Sequence, residues 1–225
     1  EAPPGSGKTR TLTHRVAYLV SQGVEPSTIL CVTFTNQAAE EMRTRLVDLV
    51  GEPAAKQMAI GTLHAIAAQI LREMVGLRFA IYDETDQIRL AAQAMAGLTL
   101  LDDLDPARLV EIIARSKANL QGPRDLERRS QYLAAAFRRY EQLLAQAGAL
   151  DFEDLIGVLI DYLEEPSLQE RLHQRFRHVL VDEVQDLSRS QLELVIRLVV
   201  PEAPSLFVVG DPRQSIYGWR SALPQ

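Results

Sequence analysis

Short apolar runs rich in β-branched residues alternate along this chain with stretches of helical periodicity, and that alternation constrains the fold more than any other feature. Ile29-Leu30-Cys31-Val32-Thr33-Phe34 is such a run, as are His178–Val181 and Ser205–Val209, with a weaker example at Met58-Ala59-Ile60. Apolar on both faces, these runs suit strands buried from both sides. Helical patterns lie between them. Thr9–Gln22 carries Leu12, Val16, Leu19 and Val20 on one face and is stopped by Gly23 and Pro26. Asn36–Val50, Leu63–Val75, Asp151–Glu164 and Ser188–Val199 follow the same logic. Strands alternating with helices argue for an α/β fold, a parallel sheet packed by helices. The middle breaks the rhythm. From Asp83 to Ala147 only helical patterns occur, including an Asp105-Pro106 start and a long amphipathic run from Arg124 that ends at Gly148. A βα framework holding a helical insertion is expected, without internal repeats or a low-complexity linker.

Composition narrows the function classes. The 225 residues suffice for one or two domains. No apolar run approaches the roughly 20 residues that would span a bilayer, and Cys31 is the only cysteine, so an intramolecular disulfide is impossible. A net charge of -6 gives no general indication of nucleic acid. From Glu111 to Tyr140 the chain carries seven Lys/Arg against three Asp/Glu, a pattern expected of a solvated helix face. Arginine outnumbers lysine 21 to three, the lysines being Lys8, Lys56 and Lys117. A lysine at a phosphate-binding position is informative against that background, because a compact ammonium makes point contacts that a guanidinium fork would make differently.

Open parallel sheets bind ligands outside the C-terminal ends of their strands, and polar or glycine residues follow each run here. Gly5-Ser6-Gly7-Lys8-Thr9 precedes the first helix and reads as a phosphate cradle, its N–H groups converging on anionic oxygens. Lys8 would meet the β and γ phosphates and the Thr9 hydroxyl would meet Mg²⁺. Ala2 stands where a first glycine is usual, and a strand would have to end just before it; Pro3 and Pro4 lie upstream of the five N–H groups that matter. Thr35-Asn36 follows Phe34, Gly61-Thr62-Leu63-His64 follows Ile60, Asp182-Glu183 follows Val181, and Gly210-Asp211 and then Gln214 follow Val209. An apolar strand ending in two acids places Asp182 to hold Mg²⁺ and Glu183 to orient and deprotonate an attacking water. Gln214 suits sensing of a γ-phosphate or of that water. Singly, each has an ordinary explanation: a Gly-rich helix start, solvated turn acids, a loop amide, a core aromatic, a structural histidine. Their gathering at one sheet edge is harder to explain that way.

The stretches APPGSGKTRTLTHRVAYL, ILCVTFTNQAAEEMRTRL, GTLHAIAAQILR, LDFEDLI, VLVDEVQD and VVGDPRQSIYGWRSA resemble, in order and spacing and over nearly the whole chain, superfamily 1 DNA helicases of the UvrD/Rep/PcrA type. The resemblance implies a RecA-like P-loop NTPase motor domain, 1A, from residues 1–71 and 149–225 and lacking its first strand, with an all-helical insertion, domain 1B, at 72–148. It also implies that alanine is accepted at the first cradle position. Implied cofactors are ATP and Mg²⁺, with Gly5, Ser6, Gly7, Lys8, Thr9, Arg10 and Gln214 around the nucleotide, Thr9 and Asp182 at the metal, and Glu183, Lys8 and Gln214 in catalysis. Phe34 and Trp219 look like aromatics on which single-strand bases stack; Thr35, Asn36, Thr62, His64, Tyr217 and Arg220 match positions on the DNA side. Val184, Leu187 and Leu63 depart from the usual residues, changes expected to alter packing more than chemistry. The insertion is shorter than in well-known relatives, which leaves duplex contacts by Arg124, Arg128, Arg129, Arg138 and Arg139 open.

The activity implied is that of an ATP-dependent 3′–5′ DNA helicase in the bacterial cytoplasm. It would act on single-stranded DNA and single–double-strand junctions in repair, replication or recombination. A second RecA-like domain, 2A, would supply arginines across the cleft; without it, residues 1–225 are expected to bind nucleotide and DNA weakly and not to translocate. Two other readings stay open: the motor of a RecB/AddA-like helicase–nuclease, and a non-motor DNA-binding scaffold with a degenerate ATPase. The intact Lys8, Thr9, Asp182, Glu183 and Gln214 speak against the scaffold.

Overall fold

Runs that are apolar on both faces belong between two layers of helix, and the computed structural model, which describes residues 7–98, 104–201 and 206–211, uses the two central ones that way. Helix α1 (Lys8–Ser21) leads to strand β1 (Ile29–Thr33), helix α2 (Asn36–Val50), the single turn α3 (Glu52–Ala55), strand β2 (Ala59–Thr62) and helix α4 (Leu63–Ile70). A two-residue strand β3 (Ala80–Ile81) precedes helices α5 (Glu84–Met95), α6 (Pro106–Ala118), α7 (Pro123–Leu126) and α8 (Gln131–Ala147), and strand β4 (Ala149–Leu150) follows them. Then come α9 (Phe152–Tyr162), α10 (Pro166–Arg175), β5 (His178–Val181), α11 (Arg189–Leu198) and β6 (Leu206–Val208). None of the described helices is long and apolar enough to cross a membrane.

Strands β1, β2, β5 and β6 pair in parallel in the order β2-β1-β5-β6. Successive residues of a strand face opposite sides, and the burial follows. Leu30, Val32, Val179 and Val181 pack against Ala67 of α4, Ile156 and Leu159 of α9, and Leu194 of α11. Ile29, Cys31, Ile60 and Leu180 pack on the other side against Leu12 and Val16 of α1 and Met42 and Leu46 of α2. Both faces of β1 and β5 are therefore covered, which is why their runs are almost wholly apolar. Strand β6, expected to be buried on both faces, leaves Leu206 and Val208 exposed because no described helix packs over that side of the sheet edge. Cys31 sits in this core, where burial pushes its thiol up to about 12. The chain leaves β1 toward β2 on one side but leaves β5 toward β6 on the other. The crevice between the C-terminal ends of β1 and β5 is thus the point where strand order reverses, the place such sheets use for ligands.

The insertion has a core of its own, with Leu90, Leu109, Ile113, Phe137, Tyr140 and Leu144 at its centre. Its two ends meet where β3 and β4 pair in parallel, Ala80 N donating to the Gly148 carbonyl at 3.1 Å and Tyr82 N to the Leu150 carbonyl at 3.0 Å.

Several expected elements change in detail. The helix expected over Leu63–Val75 is α-helical only to Ile70; Leu71–Val75 widen into a π turn that ends at Gly76 in the left-handed region, with Leu77 N reaching the Leu71 carbonyl at 2.9 Å. The run from Arg124 divides into α7 and α8, because Ser130 turns extended and its hydroxyl caps Leu133 N at 3.3 Å. A serine competes with helix continuation wherever it can cap instead, and the apolar period carries on across the break. Gly148, at φ 59, ends α8 as expected. Helix α10 and the β3–β4 pair were not anticipated. The stretch expected to be a solvated face also contains a buried residue, Lys117.

Candidate functional site

Helix α1 opens from Gly7 at φ 85 and ψ 26, a left-handed conformation that favours glycine. Among the described residues no side chain caps this helix, and its first turn carries no acid, so its leading N–H groups are not taken up by a cap and no first-turn acid offsets the positive end of the dipole. The next two residues reach the acids at the end of β5. Thr9 Oγ1 donates to Asp182 Oδ2 at 2.8 Å. Lys8 Nζ lies 3.2 Å from Glu183 Oε2, with only 9% of its side chain exposed. That ammonium makes no well-aligned hydrogen bond to any described group. A buried cation with unused donors is suited to receive anionic oxygens.

Asp182 is buried, and its N–H donates to the Val32 carbonyl at 2.9 Å, extending the β1–β5 ladder by one step. Its Oδ1 accepts from Glu183 N at 3.0 Å while Oδ2 takes the Thr9 hydroxyl. Burial raises its pKa; the Thr9 hydrogen bond opposes this, the Glu183 charge adds to it, and the Glu183 N–H and Lys8 pull it back. A divalent cation at this carboxylate would favour the ionised form. Glu183 itself adopts φ 51 and ψ 48, a sparsely populated region for a residue with a Cβ. Strain of this kind at the end of a strand, on a carboxylate, is a common mark of a functional position.

Gln185 is a residue that sequence reasoning missed. Its Nε2 donates to Glu183 Oε2 at 2.8 Å and to Asp186 Oδ2 at 3.3 Å, while its Oε1 accepts from Asp211 N at 3.0 Å. One amide thus ties the loop after β5 to the loop after β6 and steadies the Glu183 carboxylate. Gly210 makes room for it: a Cβ there would collide with Gln185 Oε1 and lie 2.9 Å from Val184 Cγ1. The available signal was an amide two residues beyond a strand-end acid pair.

A cleft of about 330 Å³ opens at the ends of β1 and β5, lined by Thr33, Phe34, Thr35, Asp182, Glu183 and Gln185 among others. Phe34 is half-buried in its wall, and Asn36 is exposed at the start of α2. Thr35 caps α2 by accepting from Ala38 N at 3.1 Å, and Thr62 caps α4 by accepting from Ala65 N at 3.2 Å. Each hydroxyl keeps its hydrogen as a donor. Helices α1, α2 and α4 have no acid in the first turn, a trait shared by α6, α8, α10 and α11, so their place beside the sheet edge rather than the missing acid sets them apart. The starts of α2 and α4 follow the ends of β1 and β2, and α1 brings Lys8 and Thr9 to the end of β5, a setting for phosphates.

His64 is half-buried near the start of α4, its Nε2 3.9 Å from Glu153 Oε1. Burial lowers its pKa, against the charge of Asp151, so the imidazole at neutral pH offers hydrogen bonds rather than charge. Its ring meets Phe152 edge-on at 6.4 Å, and Phe152 is 47% exposed. The sequence alone does not mark Phe152; an aromatic one residue after the Asp151 N-cap is the signal that could have found it.

Arg10, expected beside the nucleotide, and Arg138 and Arg139, whose duplex contacts stay open, have partners of their own. Arg10 is exposed, its Nε 3.5 Å from His14 Nε2 one turn along α1. Arg138 pairs with Glu127 at 2.5 Å, and Arg139 donates to the Ala96 carbonyl at 2.6 Å. Gly5, Ser6, Gln214, Tyr217, Trp219 and Arg220 lie outside the described residues.

The sequence comparisons agree in direction. The ATP-dependent DNA helicase PcrA of Leuconostoc citreum is 38% identical over 98% of this chain, which covers 31% of that protein. The proteins of the same name from Staphylococcus epidermidis RP62A and Staphylococcus aureus Mu50 are 38% and 37% identical, again over 98% of this chain and 32% of theirs. The chain therefore spans just under a third of the length of these curated relatives. The UvrD/REP helicase N-terminal domain matches along residues 1–225. With that match over its whole length and a parallel α/β sheet flanked by helices, the chain belongs to the UvrD/REP helicase N-terminal domain family.

Proposed function

We propose that this chain is the nucleotide- and DNA-handling motor portion of an ATP-dependent DNA helicase that moves 3′ to 5′ along single-stranded DNA. The observation that carries the reading is the interlock of α1 with the acid pair: Thr9 on Asp182 at 2.8 Å and Lys8 beside Glu183 at 3.2 Å. ATP and Mg²⁺ fit these residues, because a buried ammonium has unused donors, an uncapped helix start offers N–H groups, and Thr9 with Asp182 is an all-oxygen pair suited to a hard cation. Gly5, Ser6, Gly7, Lys8 and Thr9 would hold the phosphates with Arg10 beside them, and Thr9 and Asp182 the metal. Bound there, Mg²⁺ and ATP would supply the reactive phosphoryl group and neutralise its charge. Lys8, now 3.2 Å from Glu183, would contact the phosphates, and the Glu183 carboxylate, which accepts from Gln185, would be the group to take a proton from an attacking water. Gln214 would sense the γ-phosphate.

The DNA edge comprises Phe34, Trp219 and Tyr217 as stacking groups and Thr35, Asn36, Thr62, His64 and Arg220 as backbone contacts. The exposed ring of Phe152 beside His64 joins them. Residues 1–71 and 149–225 act as domain 1A and 72–148 as domain 1B, working against a second RecA-like domain in a protein of its relatives' length. The test uses the complete protein. Glu183→Gln should retain nucleotide binding and lose turnover by about 10²- to 10⁴-fold, the range for a general base. Phe34→Ala should raise the DNA concentration that half-stimulates ATPase. Turnover within threefold of the parent in Glu183→Gln would remove the assigned base.

A further inference from the structure

Away from the nucleotide, Lys117 near the end of α6 is 10% exposed and surrounded by three carboxylates. Its Nζ donates to Asp151 Oδ2 at 2.7 Å and to Asp154 Oδ1 at 2.6 Å, and Glu141 Oε1 of α8 lies 2.7 Å away. The rings of Phe137 and Tyr140 form its wall, at 5.9 and 5.5 Å from Nζ to their centroids, and Tyr140 Oη donates to Asp151 Oδ2 at 3.3 Å. Both aspartates have a second duty. They form the capping box of α9, Asp151 Oδ1 accepting from Asp154 N at 2.9 Å and Asp154 Oδ2 from Asp151 N at 3.1 Å. All four aspartate oxygens are therefore engaged, two with the helix start and two with the lysine.

The two sides of this contact belong to different cores. Helices α6 and α8 are packed into the insertion through Leu109, Ile113, Phe137 and Leu144, while α9 is packed under the sheet through Leu155, Ile156 and Leu159. The residues between the two aspartates are Phe152 and Glu153, the pair that meets His64. A hydrophobic contact would join the cores without fixing orientation. A tetrahedral ammonium between separately aimed carboxylates is directional, and a planar guanidinium cannot match it. The chain has 21 arginines and three lysines. One lysine is in the phosphate cradle, one pairs with Glu52 on the surface at 2.7 Å, and the third is here.

We propose that Lys117 is a positioning residue: by gripping the capping box of α9 from the insertion, it holds Phe152 against His64 in the orientation that receives single-stranded DNA. The proposal rests on the DNA-edge reading above. The test measures, in the complete protein, the concentration of an unstructured oligothymidine that half-stimulates ATPase, alongside KM for ATP without DNA. Lys117→Met should raise the DNA value at least fivefold and leave KM for ATP within twofold. Phe152→Ala should raise it similarly, and adding Phe152→Ala to Lys117→Met should change it by less than twofold. Lys117→Arg keeps the charge and should shift the DNA value in the same direction, a second measurement should Lys117→Met fail to fold. DNA values within twofold of the parent in the lysine variants, with Phe152→Ala still impaired, would overturn the positioning role alone. An equal rise in KM for ATP, or independent multiplication of the two substitutions, would also overturn it. No effect of Phe152→Ala would overturn this role together with the DNA assignment of that ring.

Discussion

Gly210→Ala tests the clamp on Glu183 without touching either acid. The added methyl would collide with Gln185 Oε1 and sit 2.9 Å from Val184 Cγ1 and 3.3 Å from Val184 N. Val184 N is itself held by the Val209 carbonyl at 3.1 Å, so the backbone resists separation and the Gln185 side chain is the part that gives. Displacing it breaks the bond from Asp211 N at 3.0 Å and the bond to Glu183 Oε2 at 2.8 Å. A neutral hydrogen bond contributes about 0.5–1.5 kcal/mol and one to a charged group about 1.5–3 kcal/mol. Only the second bears on the proposed base. Felt fully in the transition state, it corresponds to roughly 10- to 100-fold in turnover. Glu183 has 35% of its side chain exposed, so water restores part of the loss and the lower half of that range is expected. The assay is ATP turnover by the complete protein at saturating ATP and DNA, with a thermal melt for stability. Gln185→Ala should reproduce the loss, and the double variant should be no worse than either single one. Turnover within twofold of the parent in Gly210→Ala, with an unchanged melt, would refute the clamp.

Two further outcomes follow from burial. Cys31, in the central strand with its thiol pushed up to about 12, should react with a disulfide thiol reagent only at the rate of global unfolding; rapid reaction in native conditions would contradict its place in the core. The Asp154 carboxyl is pushed from its ordinary 3.8 to about 7, first by burial, with Lys117 opposing and Asp151 and Glu141 adding. A folded-state value above the unfolded one means that the folded protein holds the proton more tightly, so this group's contribution is full below about pH 4 and is lost as pH rises toward 7. Asp154→Asn should remove that decline, read as the difference between the two proteins' denaturant-unfolding free energies across the window; a difference that grows the other way would refute the sign.

The parts legible in the sequence were those whose physics is local. Ile29–Thr33 and His178–Val181 declared themselves because burial on both faces leaves them almost wholly apolar, and Asp105, Asp151 and Ser188 marked helix starts because a side-chain oxygen must serve the first turn. Asp182 and Glu183 stood out at the end of an apolar run. The rest depended on partners remote in the chain. Lys117 looked like part of a charged surface because the aspartates that bury it come 34 and 37 residues later. Gln185 passed unremarked because its acceptor role is fixed by Asp211, 26 residues on. Strands β3 and β4 are too short for any alternation to appear, and they exist only because their flanks are brought side by side.

That short pair has a consequence for how the molecule can be rebuilt. Because Ala80–Ile81 and Ala149–Leu150 lie together, the chain departs from the sheet framework and rejoins it at a single doorway. Doubling the length of chain looped out from a fixed pair of ends costs only about 0.6 kcal/mol, so the helical cassette is nearly free to grow, shrink or be exchanged. One condition attaches to any replacement: it must present an ammonium at the position of Lys117, or leave Asp151 and Asp154 facing each other across an uncompensated gap.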